Sequence, residues 1–583
     1  MIGSEPTQPS DRSDRRAYAV LVMLSLIAAV PFVVLVVHAL GLRYHASSDL
    51  ALLELRVRDV GSLHTPLVGA FSRFHWNHPG PWLFYALAPP YRAFGSDGPA
   101  VLAANVVLNG AFLAGAIALL WQRGRAGGLA LGLVVLLVLT RALGGEFLLS
   151  PWNPYLDVLP LLVLVLVVWS IACGDAWLLP ACVGLACWSV LTHVGATPIA
   201  ATGLVASVAM VVVATRRGTV RRPRRVWLGS LAVGVVMWIP PLVDATRARG
   251  GNLGALWRYF TAHHPDITGW SRAARIVLVQ FGIPAPWMTG HEAVAGFGGG
   301  GLDPAWQIPW ALIMVGVAAV VARRRRDRPA WSLCLVTVGL AAVAWISTAQ
   351  VVGEPFSYLV RWTWLVGATA WLAIGWTGWG VARASVEGPV PRRTGLVAFG
   401  AIAIGFAIAT TVGARNSQPL FRDSSLVVGG VEAATVAAAR HAPGPVLVEP
   451  APDFDSLQAT NGVVLALDQA GITAGRTPDF AWQTGRAHVV ARSAARTTYL
   501  VAVNASVDRY REDPRYRPVA EYDALSETDR AEVERIRALQ PRGTTNDLAA
   551  IQRWIRRHPS EWKRFTRLEA RGDRAVVYEL VGD

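Results

Sequence analysis

Residues 47–95 read SSDLALLELRVRDVGSLHTPLVGAFSRFHWNHPGPWLFYALAPPYRAFG, and the interpretation of the whole chain starts from this stretch. It follows one long apolar run and precedes another, yet it is polar, aromatic and rich in acids, arginine and histidine. Loops longer than about 12–15 residues inside a tightly connected chain are usually functional. We therefore predict that residues 42–97 form a functional loop between two membrane spans.

The composition predicts a polytopic α-helical membrane protein with a soluble appendage. Of the 583 residues, 53% are apolar and 16% are charged, and a bilayer core of roughly 30 Å needs about 20 apolar residues per helix. The run 274–289 is a further, re-entrant candidate, because Pro284 and Pro286 interrupt it. Eleven candidate spans follow from the apolar runs: 17–41, 98–121, 126–143, 155–173, 176–193, 196–215, 226–243, 306–322, 330–350, 359–381 and 394–413.

The arginines predict the orientation. Short connections on one side carry most of them, for example the run at 323–326, and this pattern indicates a cytoplasmic N-terminus. An odd number of spans then places the tail outside. Basic inner loops facing anionic lipid account for the net charge of +15 without nucleic acid. The predicted parts are a disordered 1–16, a membrane domain 17–413 with outer loops 42–97 and 244–305, and an extracytoplasmic domain 414–583.

The tail alternates strand and helix signals, which is typical of a small α/β domain. PVLVEPAP (445–452), RAHVVA (486–491), TTYLVAV (497–503) and RAVVYELV (574–581) are predicted strands. Helices are predicted at 461–471, 527–539 and 546–558.

The four cysteines lie within spans and predict no disulfide framework. A cysteine-free outer domain is compatible with a bacterial plasma membrane.

Asp49 is the first candidate for chemistry. It begins an amphipathic segment just after the first span, where a carboxylate can accept a proton from a hydroxyl that arrives from the aqueous side. The alternative is structural, since Ser47-Ser48-Asp49 is also a good helix N-cap cluster. Asp59 is the second candidate. Glu54 is the third, and it could instead pair with Arg58 four residues on.

The segment Arg73–Pro81 supplies candidate ligands for a phosphate. The Pro-Gly-Pro turn is expected to bring His75 and His78 together, and these donors with Arg73 suit a phosphate better than they suit zinc. Asp453-Phe454-Asp455 resembles a metal-binding Asp-X-Asp, a pattern that is common by chance. Further candidates at the outer ends of spans are His193, Glu354, Tyr358 and Arg361, although an arginine that begins a span can simply snorkel.

The first loop resembles that of GT-C-type glycosyltransferases that use polyprenyl-phosphate-linked sugars, in particular the aminoarabinose and protein O-mannosyl transferases. Asp49 stands at the acidic position that follows their first span, Asn77–Pro81 at their turn, and Tyr91–Gly95 at the end of their aromatic segment. The resemblance is specific over residues 17–125 and architectural beyond them. The doublet Asp-Glu of the family is Asp49-Leu50 here, and no Asp-X-Asp occurs in the first loop.

The resemblance implies an inverting transfer of a sugar from a polyprenyl-phosphate donor to an envelope glycan, lipid or protein acceptor, with Asp49 as general base. The missing Asp-X-Asp argues against the metal-dependent branch of the family, so no metal ligand and no cofactor are predicted, although metal dependence itself stays open; the expected partners are the lipid-linked donor, the acceptor and membrane lipids. Arg73, His75, His78 and Arg361 would stabilise the leaving phosphate. Two alternatives remain at this stage: a transporter or flippase of a lipid-linked saccharide, and a non-catalytic envelope-assembly protein on the same scaffold.

Overall fold

The computed structural model describes residues 10–296, 304–385, 389–539, 554–569 and 572–581. Its helices are α1 Ser10–Leu40, α2 Ser48–Arg58, α3 Trp82–Ala93, α4 Gly98–Leu149, α5 Asn153–Leu156, α6 Val158–Ala172, α7 Leu179–Thr192, α8 Thr197–Arg216, α9 Pro223–Ala245, α10 Gly251–Thr261, α11 Trp270–Leu278, α12 Pro286–Thr289, α13 Trp310–Arg324, α14 Arg328–Ala349, α15 Ser357–Val360, α16 Trp364–Ser385, α17 Pro389–Arg415, α18 Arg422–Ala439, α19 Phe454–Gln469, α20 Ala481–Thr484, α21 Ala505–Arg511, α22 Glu527–Leu539 and α23 Pro559–Glu569. Its strands are β1 Phe71–Ser72, β2 Trp76–Asn77, β3 Val446–Pro450, β4 Ala474–Gly475, β5 Thr497–Val503, β6 Tyr516–Asp523 and β7 Arg574–Leu580.

The chain divides into two compact units. Unit 1 comprises residues 1–42 and 66–420, and unit 2 comprises residues 43–65 and 421–583. The domain boundary near residue 414 and the membrane-domain loop 42–97 stay predictions; within that loop, residues 43–65 cluster with the C-terminal unit.

Unit 1 is a bundle of apolar helices. Eight helices in the described ranges are long and apolar enough to cross a membrane. All eleven predicted spans coincide with helices. The structure has eight such long helices rather than eleven in the described ranges for two reasons. Two predicted spans lie within the single helix α4, and α7 and α13, with 14 and 15 residues, are too short to be counted.

The 52-residue helix α4 is a hairpin of two antiparallel arms. Arg125 breaks the helix with a φ of 49°. Asn105 Nδ2 donates to the carbonyl of Leu148 over 2.8 Å, although a straight helix would separate these residues by about 64 Å. The predicted spans 98–121 and 126–143 are therefore separate arms joined at Arg125.

The predicted break in the run 274–289 is present. Helix α11 ends at Leu278, a short 3₁₀ turn follows, and α12 begins at Pro286. Helix α10, which precedes α11, exposes Trp257 and Phe260, and exposed aromatic side chains of this kind are typical of a helix at a membrane interface.

Unit 2 is an α/β domain built on a five-stranded sheet of order β4-β3-β5-β7-β6. Strands β4, β3 and β5 are parallel, while β7 pairs antiparallel with both β5 and β6. Three of the four predicted strands are confirmed. The segment 486–491 is not a strand: it begins with a 3₁₀ turn at Arg486–His488, and β6 was not predicted. The predicted helix 546–558 lies partly outside the described residues.

Candidate functional site

The predicted turn Arg73–Pro81 is a small β-hairpin in unit 1. Phe71 pairs with Asn77, and His75 lies exposed at the tip in the left-handed region, with a φ of 61°. Asn252 on α10 holds the hairpin in both directions, donating from Nδ2 to the carbonyl of Asn77 and accepting from its N–H. The hairpin is thus anchored on α10.

His78 is buried behind this hairpin, whereas His75 is exposed. The backbone N–H of Val194 donates to Nδ1 of His78 over 3.0 Å, and the ring lies 4.8 Å from that of His193. Burial, and then the neighbouring His193, hold the pKa of His78 well below its usual range. Burial lowers the pKa of His193 to about 4. His78 and His193 therefore form a buried pair of rings, and the phosphate-binding role of His75 and His78 stays a prediction.

Arg73 is exposed and lies against aromatic rings. Its guanidinium carbon is 4.9 Å from the ring centre of Phe74 and 5.7 Å from that of Phe356. Its side chain also donates to the carbonyl of Val352 over 3.4 Å. Cations stacked on aromatic faces in this way keep their charge available to a ligand.

Glu354 is held by an arginine. Arg272 donates to both oxygens of its carboxylate, at 2.5 and 3.0 Å. This bidentate geometry is the strongest form of such a pair. Glu354, a predicted ligand-binding residue, therefore holds the loop before α15 against α11.

Arg361 is the most enclosed cation among the predicted site residues. Only 10% of its side chain is exposed, and it forms an ion pair with Glu292. Its guanidinium carbon lies 4.6 Å from the Trp364 ring, 5.4 Å from Phe147 and 5.7 Å from Tyr155. Its Nε is buried and has no hydrogen-bond partner in the described part of the chain. Snorkelling is thus not the explanation for this arginine, because its charge is held inside an aromatic enclosure.

Four rings join Arg73 to Arg361 as a continuous aromatic strip. Phe356 stacks on Tyr358 with 5.9 Å between ring centres, Tyr358 lies 4.6 Å from Trp152, and Trp152 lies 5.3 Å from Tyr155. Arg73 contacts the first ring of the strip and Arg361 the last. The strip gives unit 1 an apolar surface with a cation at each end.

Asp157 is a buried acid that is not among the residues predicted from the sequence. It is 3% exposed at the end of α5, and its carboxylate faces the Ser189 hydroxyl. Neither carboxylate oxygen has a hydrogen bond of normal geometry among the described residues. A lone acid inside the predicted span 155–173 was the available signal, because ionisable groups at membrane depth are costly and usually functional.

Asp49 belongs to unit 2, in the first turn of α2. Ser47 precedes the helix and makes no capping hydrogen bond with its side chain, so the capping alternative for Asp49 stays open. Ser48 precedes it with a φ of 51°, a conformation that costs about 1–3 kcal/mol in a non-glycine residue and tends to occur at functional sites. Asp49 is half-buried.

Glu54 and Asp59 face the interior of unit 2. Gln469 on α19 donates to Glu54 Oε1 over 2.8 Å. Asp59 Oδ1 lies 3.0 Å from Nε2 of the buried His488. Both side chains are buried, so these contacts hold α2 within unit 2, and the predicted ligand-binding role of the two residues stays a prediction.

Asp453 also has a local structural role. It is the N-cap of α19, and its Oδ1 accepts from the N–H of Ser456 over 2.8 Å. Burial pushes the pKa of Asp453 upward, but hydrogen bonds from Ser506 and Ser456 outweigh that effect and hold it below its usual range.

The helical bundle and the sheet domain define the class: this is a multi-pass membrane protein with a GT-C-like fold. The structure is similar to the crystal structure of ArnT from Cupriavidus metallidurans bound to undecaprenyl phosphate, with a TM-score of 0.50 and 14% identity over 85% of this chain and 95% of that chain. The apo form of the same ArnT gives a TM-score of 0.48 with 13% identity over the same shares. No protein-family model and no curated protein sequence matches the chain.

Proposed function

We propose that this protein is a membrane glycosyltransferase that moves a sugar from a polyprenyl-phosphate donor to an envelope acceptor, with inversion. The enclosure of Arg361 carries the proposal. A guanidinium that is nearly buried, ringed by aromatic side chains and still has an unused N–H is suited to a lipid phosphate. The ArnT structure with a similar fold holds undecaprenyl phosphate, which supports a donor of this class.

The aromatic strip suits the two parts of such a donor. Its ring faces can pack against isoprenoid units and sugar rings, and the cations at its ends can hold the phosphate. Arg361 is the proposed phosphate ligand and Arg73 an outer one. His78 is neutral, so it can only contribute as an uncharged donor through Nε2.

The reaction also needs a base. The acceptor oxygen attacks the anomeric carbon, the bond from that carbon to the phosphate oxygen breaks, and the hydroxyl proton passes to a carboxylate. Asp49 remains the predicted base, supported by the resemblance of the first loop and by the strained residue before it. The polyprenyl phosphate leaves, and positioned cations stabilise its charge.

A transfer assay tests the proposal. Purified full-length protein is incubated with a panel of radiolabelled polyprenyl-phosphate sugars and envelope extract, and transfer to the extract is counted. We expect transfer from at least one donor. Tight donor binding without transfer, or transport of the intact lipid-linked sugar in vesicles, would contradict the enzymatic role.

Arg361→Lys sharpens the test because it keeps the charge and removes the planar fork. We expect transfer to fall by about 10²-fold, the scale for losing one positioned donor. Arg123→Lys is the matched control. Arg123 also forms an ion pair, with Asp175, and lies over the Trp169 ring. It is next to the turn of the α4 hairpin at Arg125, whereas Asn105 and Leu148 meet near the other end of the hairpin. Equal loss in both variants would remove Arg361 from the proposed site.

A further inference from the structure

Unit 1 contains a second cation that the proposed transfer does not use. Arg141 lies on the second arm of α4 and lines a cavity of about 230 Å³ together with residues of α1, α12 and α17. Apart from Arg141, two threonines and three glycines, the lining side chains are apolar. In the described part of the chain, Arg141 forms no ion pair and no side-chain hydrogen bond.

Two backbone irregularities border the cavity. Pro31 lies inside α1, where it has no backbone N–H to donate to the preceding helical turn. Gly144 interrupts α4 with φ 82° and ψ 165°, a conformation that only glycine adopts without strain. Both leave backbone polar groups without helical partners. Since such groups within a bilayer must line a cavity or find another ligand, the cavity is a place where a polar group can bind.

The depth of Arg141 matches a lipid headgroup. The helix that runs from the hairpin turn at Arg125 to Arg141 is about 24 Å long, at 1.5 Å per residue. The hydrocarbon core is roughly 30 Å thick. Arg141 therefore lies toward the leaflet opposite the hairpin turn, within snorkelling reach of its phosphates.

The size of the cavity excludes a whole lipid. It is smaller than the roughly 300–1,000 Å³ of sites that enclose a drug-sized ligand. Arg141 is exposed within an apolar span, so the cavity is open to lipid. These dimensions fit a phosphate headgroup inside the cavity with its chains in the bilayer.

We propose that this Arg141 cavity binds the phosphate of a membrane lipid. Snorkelling alone would explain an exposed arginine, but it would require neither a cavity nor the two irregularities beside it. The guanidinium donates to the phosphate oxygens, and the neighbouring glycines allow the headgroup to approach the backbone. This inference does not depend on the transfer activity, because lipid retention is measured directly.

Native mass spectrometry of the full-length protein tests it. Protein equilibrated in mixed micelles of phosphatidylglycerol and phosphatidylcholine should retain phosphatidylglycerol about 10-fold in preference, the scale of one charge-assisted hydrogen bond. Arg141→Gln should abolish this preference. Arg324→Gln, a change at an exposed arginine in the last turn of α13, should leave it unchanged.

A second variant separates binding from folding. Ala409 is an exposed cavity-lining residue of α17, and Ala409→Phe should fill the cavity without altering any charge. It should lower phosphatidylglycerol retention to the level of Arg141→Gln. A parallel experiment with added undecaprenyl phosphate shows which lipid supplies the bound phosphate. If undecaprenyl phosphate displaces phosphatidylglycerol and the displacement requires Arg141, the ligand is the polyprenyl lipid. If it does not displace phosphatidylglycerol, the ligand is a phospholipid. Retention that is the same in wild type, Arg141→Gln and Ala409→Phe, or that falls equally in Arg324→Gln, would overturn the proposal.

Discussion

The carboxylate of Asp59 and the imidazole of His488 lie 3.0 Å apart, although 429 positions separate them in the chain. Both side chains are buried. Asp468 lies 3.6 Å from the other ring nitrogen of His488 and also accepts from Arg58 Nε over 2.7 Å. Helix α2 of the first loop is therefore an integral part of unit 2.

Asp59→Asn should loosen this region of unit 2. The substitution keeps the shape but removes the charge that faces His488, and a weakened buried hydrogen bond of this kind costs about 1–3 kcal/mol. Hydrogen exchange of the amides in α2 and α19 should become about 5–100-fold faster. Asp49→Asn is the control on the same helix and should leave exchange unchanged. Equal protection in wild type and Asp59→Asn would show that the pair does not stabilise unit 2.

The C-terminal segment alone should be less stable than unit 2. A fragment 421–583 lacks α2, whose Leu50, Leu53, Leu55 and Val57 are buried. Each such side chain contributes roughly 1.5–3 kcal/mol on burial. A synthetic peptide of residues 43–65 should therefore raise the melting temperature of the fragment, measured by circular dichroism. A peptide with Leu50 and Leu55 replaced by Asp should have no effect; if neither peptide changes the melting temperature, the segment does not belong to this fold.

Asp49→Asn should reduce sugar transfer by roughly 10²–10⁴-fold, because an amide cannot accept the acceptor proton. Folding should be retained in either case, because asparagine caps a helix about as well as aspartate. Initial rates of transfer and the melting temperature would both be measured. Near-wild-type transfer would exclude Asp49 as the base, and a parallel loss of melting temperature would indicate a structural role instead.

Acid should destabilise unit 1 through the His78–His193 pair. The pKa of His193 is lowered to about 4 in the folded protein, against about 6.5 when unfolded. Between these values the unfolded chain binds more protons, so stability rises with pH and is lost as the pH falls from about 6.5 toward 4. Thermal unfolding at pH 7.5, 6 and 5 should show this decline, and His193→Gln should flatten it. A variant with the same pH dependence as wild type would assign the decline to other groups.

The predicted orientation can be tested by cysteine labelling in intact cells. Ser493→Cys is exposed in unit 2 and should react with an impermeant maleimide. Arg324→Cys lies in the last turn of α13, at the start of the arginine-rich stretch, and should react only after the cells are permeabilised. Reaction at Arg324→Cys in intact cells would reverse the predicted topology.

The sequence by itself determined the helices of unit 1 and most of the sheet of unit 2. Apolar runs and alternating patterns record which residues are buried, and this information is local, so eleven predicted spans and the strands at 445–452, 497–503 and 574–581 coincide with observed elements. Arg361 was also recognisable as a candidate, because a charge at the start of a span is unusual.

Only the tertiary structure decided which side chains meet. His78 lies against His193, Arg361 against Glu292, and Asp59 against His488. The linear pattern instead grouped His78 with His75 and treated Asp59 as a loop residue open to a ligand. A periodic pattern shows which face of an element is buried, but not which distant element covers that face, and the protonation of His78 and the enclosure of Arg361 both depend on those neighbours.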